Sequence, residues 1–279
     1  IHLSIKTIKI NNFLYKEKYY NLFNYNIFMR VLLLENIHDI CGEIFRKEQY
    51  EIVHCKQSLE KSKLIEIIKT IDIIGIRSKT NLTEEVLSNA ANLKVIGVFC
   101  IGTDQVDLNY ASQKGITVFN SPYMNTRSVA ELAISHIINL ARQVNMRNRE
   151  MHNGIWNKTC NKCMEIREKN LGIIGYGHVG SQLSVLAEAI GMNVYFYDID
   201  NVMALGNSKN CESLDKLLEI SDFISVHVPL TNETKNLISK KDFFKMKKGS
   251  YLLNLSRGNV VNIEDLKIYI DNGHLGGCA

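Results

Sequence analysis

The segment Gly175-Tyr-Gly-His-Val-Gly180 has the glycine spacing of a turn that binds phosphate groups. The apolar run before it is typical of a strand, and the residues after it are typical of a helix. Gly175 and Gly177 allow a tight turn whose backbone N–H groups approach a pyrophosphate, and Gly180 lets the helix pack closely on the strand. The glycines alone are a weak signal, and a turn that binds nothing is the alternative.

A carboxylate follows the next predicted strand at the position where a dinucleotide's ribose is usually held. Asp198 comes directly after the apolar run 193–197, 18 residues beyond Gly180. It can accept hydrogen bonds from the hydroxyls of the adenosine ribose. Residues 198–206 contain no Arg or Lys to meet a 2′-phosphate, so the sequence predicts NAD and not NADP. Asp200 is interpreted as a solvated turn residue.

Other polar residues follow predicted strands, where parallel sheets bind their ligands. Arg77 and Ser78 follow one strand, and Arg257 follows another beside a glycine. A guanidinium presents a planar fork that suits a carboxylate or a phosphate, so the two arginines are expected to face one crevice. For a single arginine of this kind, a surface salt bridge is the alternative. His227, near the end of a further strand, either packs there or contacts the cofactor.

Strand and helix patterns alternate along the chain, which predicts an α/β fold with parallel sheets. We expect two doubly wound domains: a flavodoxin-like substrate domain at residues 29–124 and a Rossmann-type NAD-binding domain at 125–279. The end of the chain, from Leu275, is typical of the opening of another strand, so the second sheet is expected to be incomplete. Residues 1–28 are interpreted as an extension with no catalytic role. Strands are predicted at 30–34, 72–76, 93–98, 116–119, 171–175, 193–197, 223–228 and 251–255, and helices at 38–47, 62–71, 83–90, 106–114, 128–151, 179–190, 214–219, 240–245 and 263–270.

Composition excludes several function classes. The chain is 46% hydrophobic and 22% charged, as in ordinary globular proteins. Its net charge of +4 arises in the first 30 residues, so nucleic-acid binding is not indicated. The sequence contains no run of 18 apolar residues, so no membrane span is predicted. Seven scattered cysteines without a secretory signal predict reduced thiols and a cytoplasmic location, and Cys160 and Cys163 lack the second pair that a metal site would need.

From about Arg30 to its last residue, the chain resembles the D-isomer-specific 2-hydroxyacid dehydrogenases, and eight segments carry this resemblance. The segment GYGHVG with YFYDI is typical of the branch of that family that acts on phosphoglycerate. The segments are IGIRSKT (74–80), FCIGTDQVDL (99–108), VFNSPYMNTRSVAEL (118–132), GIWNK (154–158), LGIIGYGHVG (171–180), YFYDID (195–200), SVHVPLTNET (225–234) and LNLSRGNVV (253–261).

This resemblance implies NAD-dependent oxidation of 3-phospho-D-glycerate to 3-phosphooxypyruvate, the first step of L-serine biosynthesis, by a homo-oligomer. Arg257 would hold the substrate carboxylate beside the reacting carbon. The substrate pocket would include Arg77, Ser78 and Asn125, with Lys56 and Lys158 as weaker phosphate candidates. The implied cofactor residues are Gly175, Gly177, His178, Val179, Gly180, Asp198, His227, Leu255, Ser256 and Arg257.

The chain departs from the family pattern in two ways. The family's acid–base pair, a Glu and a His, lies downstream of the segment that begins at Gly276, and His274 is too early to replace it. We therefore expect a fragment that forms no detectable NADH from 3-phosphoglycerate on its own. Asn262 replaces the usual Asp after the arginine motif, a tolerable change because either residue caps a helix. The alternatives are a dehydrogenase for another 2-hydroxy acid, a non-catalytic NAD-binding relative such as a corepressor, and a degraded gene product.

Overall fold

A computed structural model describes residues 29–279, which form two compact units. The first unit ends at Asn120 and the second runs from Ser121 to Ala279, whereas the sequence analysis sets the domain boundary between residues 124 and 125. The proposed extension, residues 1–28, lies outside the described residues. No helix within residues 29–279 is both long enough and apolar enough to span a bilayer.

The first unit is a five-stranded parallel sheet with helices between its strands. The strands are β1 (Arg30–Leu33), β2 (Glu51–His54), β3 (Ile73–Ile76), β4 (Val95–Val98) and β5 (Thr117–Asn120), and the helices are α1 (Asp39–Lys47), α2 (Lys61–Ile68), α3 (Glu84–Leu87) and α4 (Leu108–Gln113). The strand order β2-β1-β3-β4-β5 is that of flavodoxin-like folds, so the predicted fold class is confirmed. Buried Leu, Ile and Val side chains from the sheet, α2 and α3, together with Ala111 of α4, are part of the main core of this unit.

The second unit contains a six-stranded parallel sheet in the order β11-β10-β9-β6-β7-β8. Read along the sheet, this is the Rossmann order, which also confirms the predicted class. Its strands are β6 (Asn170–Ile174), β7 (Asn193–Tyr197), β8 (Lys209–Asn210), β9 (Phe223–Val226), β10 (Tyr251–Asn254) and β11 (Gly277–Cys278), and its helices are α5 (Thr126–Arg142), α6 (Val144–His152), α7 (His178–Ala189), α8 (Leu214–Ile220), α9 (Lys240–Phe243) and α10 (Ile263–Asp271).

Helices cover both faces of this second sheet. Neighbouring residues of a strand point to opposite sides of the sheet, so they pack in different clusters. Ile173 packs in a cluster with residues of α5 and α7, while Ile174 packs in another with residues of α8 and α10. The sequence predicts that a further strand opens after Leu275. The structure has a short strand there, β11, which pairs in parallel with β10 at the edge of the sheet.

The prediction of one long helix over residues 128–151 is wrong. Gln143 adopts a left-handed conformation, with φ 56° and ψ 35°, and separates α5 from α6. The Asn139 side chain accepts a hydrogen bond from the backbone N–H of Asn145, in the first turn of α6. A side chain from the first helix thus supports the start of the second, and no Gly or Pro marks the break in the sequence.

Candidate functional site

The turn after β6 requires glycine at two positions for reasons of packing. Gly175 has φ +89°, and a Cβ there would lie 3.0 Å from the backbone carbon of His227. A Cβ on Gly180 would lie 2.2 Å from the carbonyl oxygen of Gly175, so α7 approaches the turn as closely as backbone allows. These two glycines therefore shape the turn itself.

Gly177 has a different environment. A Cβ built on it would meet no atom of residues 29–279 within 4 Å, so protein packing does not explain the glycine. It precedes α7, a helix of 12 residues, and among the described residues no side chain caps that helix. His178 is exposed and Val179 half-buried in the first turn. Open space in front of uncapped backbone N–H groups fits a bound pyrophosphate.

Asp198 lies directly after β7, and its carboxylate is held towards the glycine turn. Oδ2 accepts a hydrogen bond of 2.6 Å from the backbone N–H of Tyr176, and Oδ1 accepts one of 3.0 Å from that of Asp200. A carboxylate oxygen has two lone pairs, so each oxygen keeps one for a ribose hydroxyl. Asp200 is exposed, in agreement with its interpretation as a turn residue.

His227 follows β9, the strand beside β6 where the strand order reverses. Its backbone N–H donates to the carbonyl of Ile174 at 2.8 Å. Its Nε2 lies 2.8 Å from the hydroxyl of the buried Ser225, two residues earlier in the same strand. Burial lowers the pKa of His227 from 6.5 to about 4, so the imidazole is neutral at neutral pH. The ring is thus held against the end of its own strand.

The loop after β10 is organised by Asn254, a polar residue at the strand end for which the sequence suggests no role of its own. Its Oδ1 accepts hydrogen bonds from the backbone N–H of Ser256 at 3.1 Å and from the Ser256 hydroxyl at 2.8 Å. Its Nδ2 donates to the carbonyl of Arg257 at 2.9 Å. Leu255, Ser256 and Arg257 are all half-buried. Asn254 thereby fixes the backbone that carries the predicted substrate arginine.

Within the second unit, these residues lie at the carboxyl ends of four adjacent parallel strands, β10, β9, β6 and β7. Adjacent strands are about 4.8 Å apart, so the row extends over roughly 14 Å. Its midpoint is the place where the strand order reverses, which is where open α/β sheets bind ligands. The row can therefore hold an extended ligand whose phosphates lie at the glycine turn.

In the first unit, Arg77 and Ser78 follow β3 and are exposed. Their loop is held by Glu35, a buried residue that the sequence analysis missed. The Glu35 carboxylate accepts hydrogen bonds from the backbone N–H groups of Arg77 at 3.2 Å, Lys79 at 2.9 Å and Thr80 at 2.9 Å. Burial alone would raise the pKa of Glu35, but these hydrogen bonds outweigh it and lower the pKa. An acid directly after an apolar strand was the available sequence signal.

The remaining substrate candidates belong to three different loops of the chain. Asn125 is exposed immediately before α5, and its carbonyl accepts the Ser128 hydroxyl at 2.8 Å. Lys56 is exposed in the loop after β2. Lys158 is also exposed, with its Nζ 5.9 Å from the centroid of the Trp156 ring.

Two further predictions concern His274 and the cysteines. The Nε2 of His274 lies 3.0 Å from the carbonyl of Met246, and its carbonyl accepts the N–H of Gly249, just before β10 begins. His274 is therefore at the opposite end of that strand from Arg257. All seven cysteines are free thiols, and residues 29–279 contain no group of three His, Cys, Asp or Glu side chains that could hold a metal ion.

Comparison with known proteins gives consistent matches. Residues 134–279 match the family model for the D-isomer specific 2-hydroxyacid dehydrogenase NAD-binding domain. The chain is 53% identical over 251 residues to D-3-phosphoglycerate dehydrogenase 2 of Saccharomyces cerevisiae, covering 90% of this chain and 54% of that protein. It is also 53% identical over 251 residues to D-3-phosphoglycerate dehydrogenase of Dictyostelium discoideum, covering 90% of this chain and 62% of that one.

Among solved structures, the fold is similar to that of NAD-dependent formate dehydrogenase from Staphylococcus aureus in complex with NAD. The TM-score is 0.81 at 30% sequence identity, with 90% of this chain and 80% of the other covered. The chain spans just over half of the yeast protein and about three fifths of the Dictyostelium protein.

Proposed function

Because this chain belongs to the D-isomer specific 2-hydroxyacid dehydrogenase family, we propose that it acts in the NAD-dependent oxidation of 3-phospho-D-glycerate to 3-phosphooxypyruvate. This reaction is the first step of L-serine biosynthesis. The observation that carries the proposal is 53% identity to two D-3-phosphoglycerate dehydrogenases over 90% of the chain. The formate dehydrogenase of similar fold is only 30% identical, which favours phosphoglycerate over another substrate.

The cofactor is NAD, and the row of strand ends in the second unit is its proposed site. The first turn of α7 binds the pyrophosphate through its backbone N–H groups, and the bare backbone of Gly177 leaves room for it. Asp198 accepts hydrogen bonds from the adenosine ribose and repels a 2′-phosphate. The loop from Leu255 to Arg257 borders the nicotinamide. Bound NAD supplies a nicotinamide ring that accepts hydride from the substrate carbon.

The substrate is held by cationic and polar side chains. Arg257 binds the carboxylate beside the reacting carbon, with the loop geometry that Asn254 imposes. Arg77, Ser78 and Asn125 contact the rest of the substrate, and Lys56 and Lys158 are further candidates for its phosphate. The fixed loop after β3 supports this role for Arg77, because Glu35 holds the backbone on which the guanidinium is mounted.

The family resemblance implies an acid–base pair, a Glu and a His, downstream of the segment that begins at Gly276, and we propose that catalysis depends on that pair. Loss of a general acid–base costs roughly 10²–10⁴-fold in rate. We therefore expect residues 1–279 to bind NAD but to form no detectable NADH from 3-phosphoglycerate. Steady turnover by the purified 279-residue chain would contradict this expectation.

A chimera tests the substrate independently of that expectation. Residues 29–279 would replace the matching segment of the yeast relative, and NADH formation would be measured with 3-phosphoglycerate, D-glycerate and D-lactate. We expect a preference for 3-phosphoglycerate that Arg77→Ala reduces. A chimera that binds NAD but prefers an unphosphorylated acid would favour the second candidate, a dehydrogenase for another 2-hydroxy acid. A chimera that binds NAD and oxidises none would favour the non-catalytic relative.

We also propose a homo-oligomer located in the cytoplasm. Exposed apolar side chains on α5 and α6, and on the loop after them, support self-association. Free thiols at all seven cysteines are in keeping with a reducing compartment.

A further inference from the structure

Tyr176, between the first two glycines of the turn, makes contacts that the turn itself does not require. Its side chain is 3% exposed and its ring stacks on Phe196, with centroids 3.8 Å apart. Its hydroxyl oxygen lies 2.6 Å from Ser184 Oγ on α7 and 2.8 Å from Ser208 Oγ, and it accepts the backbone N–H of Leu205 at 3.3 Å. A phenylalanine could fill the same apolar space, so the hydroxyl has a separate role.

These contacts place Tyr176 at both ends of segment 198–208, the residues between Asp198 and Ser208. At the first end, the Tyr176 backbone N–H donates to the Asp198 carboxylate. At the second end, the Tyr176 hydroxyl contacts Leu205 and Ser208. In between, Ile199 is 90% exposed and Met203 is 85% exposed. The middle of the segment is therefore little packed, and its position depends on how its two ends are held.

The hydroxyl network has fewer hydrogens than contacts. Ser184 Oγ also lies 2.7 Å from the Ser181 carbonyl, and Ser208 Oγ lies 2.7 Å from the Leu205 carbonyl. Together with the two contacts between the tyrosine and the serines and the Leu205 N–H, this makes five contacts for four hydrogens. When both serines donate to their carbonyls, the single tyrosine hydrogen can be donated to only one of the two serine oxygens at a time. The phenol oxygen is thus the centre of the network, and its loss affects both serines.

We propose that Tyr176 is a positioning residue that fixes segment 198–208 and thereby sets the affinity of the site for the adenosine half of NAD. This inference rests on the proposed placement of the ribose at Asp198. The acid at the end of this strand meets the ribose hydroxyls in NAD sites, and a nearby Arg accommodates the 2′-phosphate in NADP sites, so segment 198–208 borders the adenosine ribose. Holding them in place before the nucleotide arrives reduces the conformational entropy lost on binding.

The test uses the 279-residue chain and titrations with NAD and with ADP-ribose, which lacks nicotinamide. Tyr176→Phe is expected to raise the Kd for both ligands by the same factor, about three- to tenfold. Ser208→Ala, which removes the partner hydroxyl, should act in the same direction and serves if the tyrosine variant does not fold. Tyr251→Phe is the matched control: Tyr251 is also a buried tyrosine and stacks on Phe223, but it begins β10, away from the site. It should leave both Kd values unchanged.

A double-mutant cycle separates positioning from a general structural effect. If Tyr176 acts by holding Asp198 and the residues after it, Tyr176→Phe adds little further loss in an Asp198→Asn background. Full additivity of the two substitutions, or wild-type affinity in Tyr176→Phe while Asp198→Asn weakens binding, would overturn the inference and leave the ribose placement intact. If Asp198→Asn itself has no effect, the proposed placement of the ribose is wrong.

Discussion

At the scale of single residues, the carboxylate of Asp198 gives the most direct test of the cofactor site. Asp198→Ala removes an acceptor for the ribose hydroxyls, so we expect NAD to bind about ten- to a hundredfold more weakly, as for the loss of a hydrogen bond to a charged group. Asp200→Ala is the matched control, because Asp200 is exposed and only its backbone N–H contacts Asp198. Fluorescence titration with NAD measures both, and equal affinity for the Asp198 variant and the wild-type chain would refute the assignment.

His227 makes a prediction about stability and pH. Its pKa is about 4 in the folded chain, against an ordinary value of 6.5, so the unfolded chain binds more protons between these pH values. The free energy of unfolding should therefore fall as the pH decreases from 6.5 to 4, with His227 contributing at most about 3 kcal/mol of the loss. Urea denaturation at pH 7 and pH 4.5 measures it.

His227→Gln should reduce the difference in unfolding free energy between the two pH values. The exposed His152→Gln is the control and should keep the wild-type difference. A His227 variant with the same pH dependence as the wild-type chain would show that this imidazole titrates normally.

At the scale of elements, the two glycines at the start of α7 should behave in opposite ways. Gly177→Ala places a methyl group in open space, so stability should change little while NAD binding weakens, since the methyl group occupies the approach to the phosphates. Gly180→Ala places a Cβ 2.2 Å from the Gly175 carbonyl oxygen, so it should lower the melting temperature markedly. Thermal denaturation and NAD titration of both variants measure this contrast; a Gly177 variant with unchanged affinity would contradict the phosphate site.

The sequence predicted those elements whose signal is local. Strand β7 was predicted with the observed bounds, because the apolar run ends at an acid, and Asn262 was identified as the cap of α10, where its side chain accepts the N–H of Asp265. Strands β2 and β8 were missed, because each is a short strand at the edge of its sheet and lacks the apolar run of a buried strand.

The candidate site shows the same division. The glycine turn and the positions after strands are readable from spacing, whereas the groups that hold those positions are not. Glu35 is 42 residues from Arg77 in sequence, and the hydroxyl partners of Tyr176 are 8 and 32 residues away. Such contacts arise only when the sheet brings distant loops together, so spacing in one sequence carries no signal for them.

At the scale of the whole molecule, the exposed apolar surface of α5, α6 and the following loop predicts self-association. Leu132 is 47% exposed and Trp156 is 71% exposed, and Val144, Met146 and Met151 are exposed as well. Burying one such side chain in an interface contributes about 1.5–3 kcal/mol. We expect the double variant Leu132→Glu, Trp156→Ala to lower the molecular mass of the particle measured by light scattering at micromolar concentration.

Phe244→Ala is the control for that experiment, because Phe244 is also exposed but lies at the end of α9. It should leave the mass unchanged. A wild-type chain that is monomeric at high concentration, or a double variant of unchanged mass, would contradict the proposal of an oligomer through α5 and α6.

The two backbone hydrogen bonds to the Asp198 carboxylate have a consequence for kinetics. Since the side chain has already lost its rotational freedom when the chain folds, no slow rearrangement of this acid needs to precede or follow the encounter with nucleotide. The observed association rate in stopped-flow mixing should then rise in proportion to NAD concentration, without a plateau set by a preceding isomerisation. A binding site of this kind fills as fast as NAD diffuses to it when the NAD concentration changes.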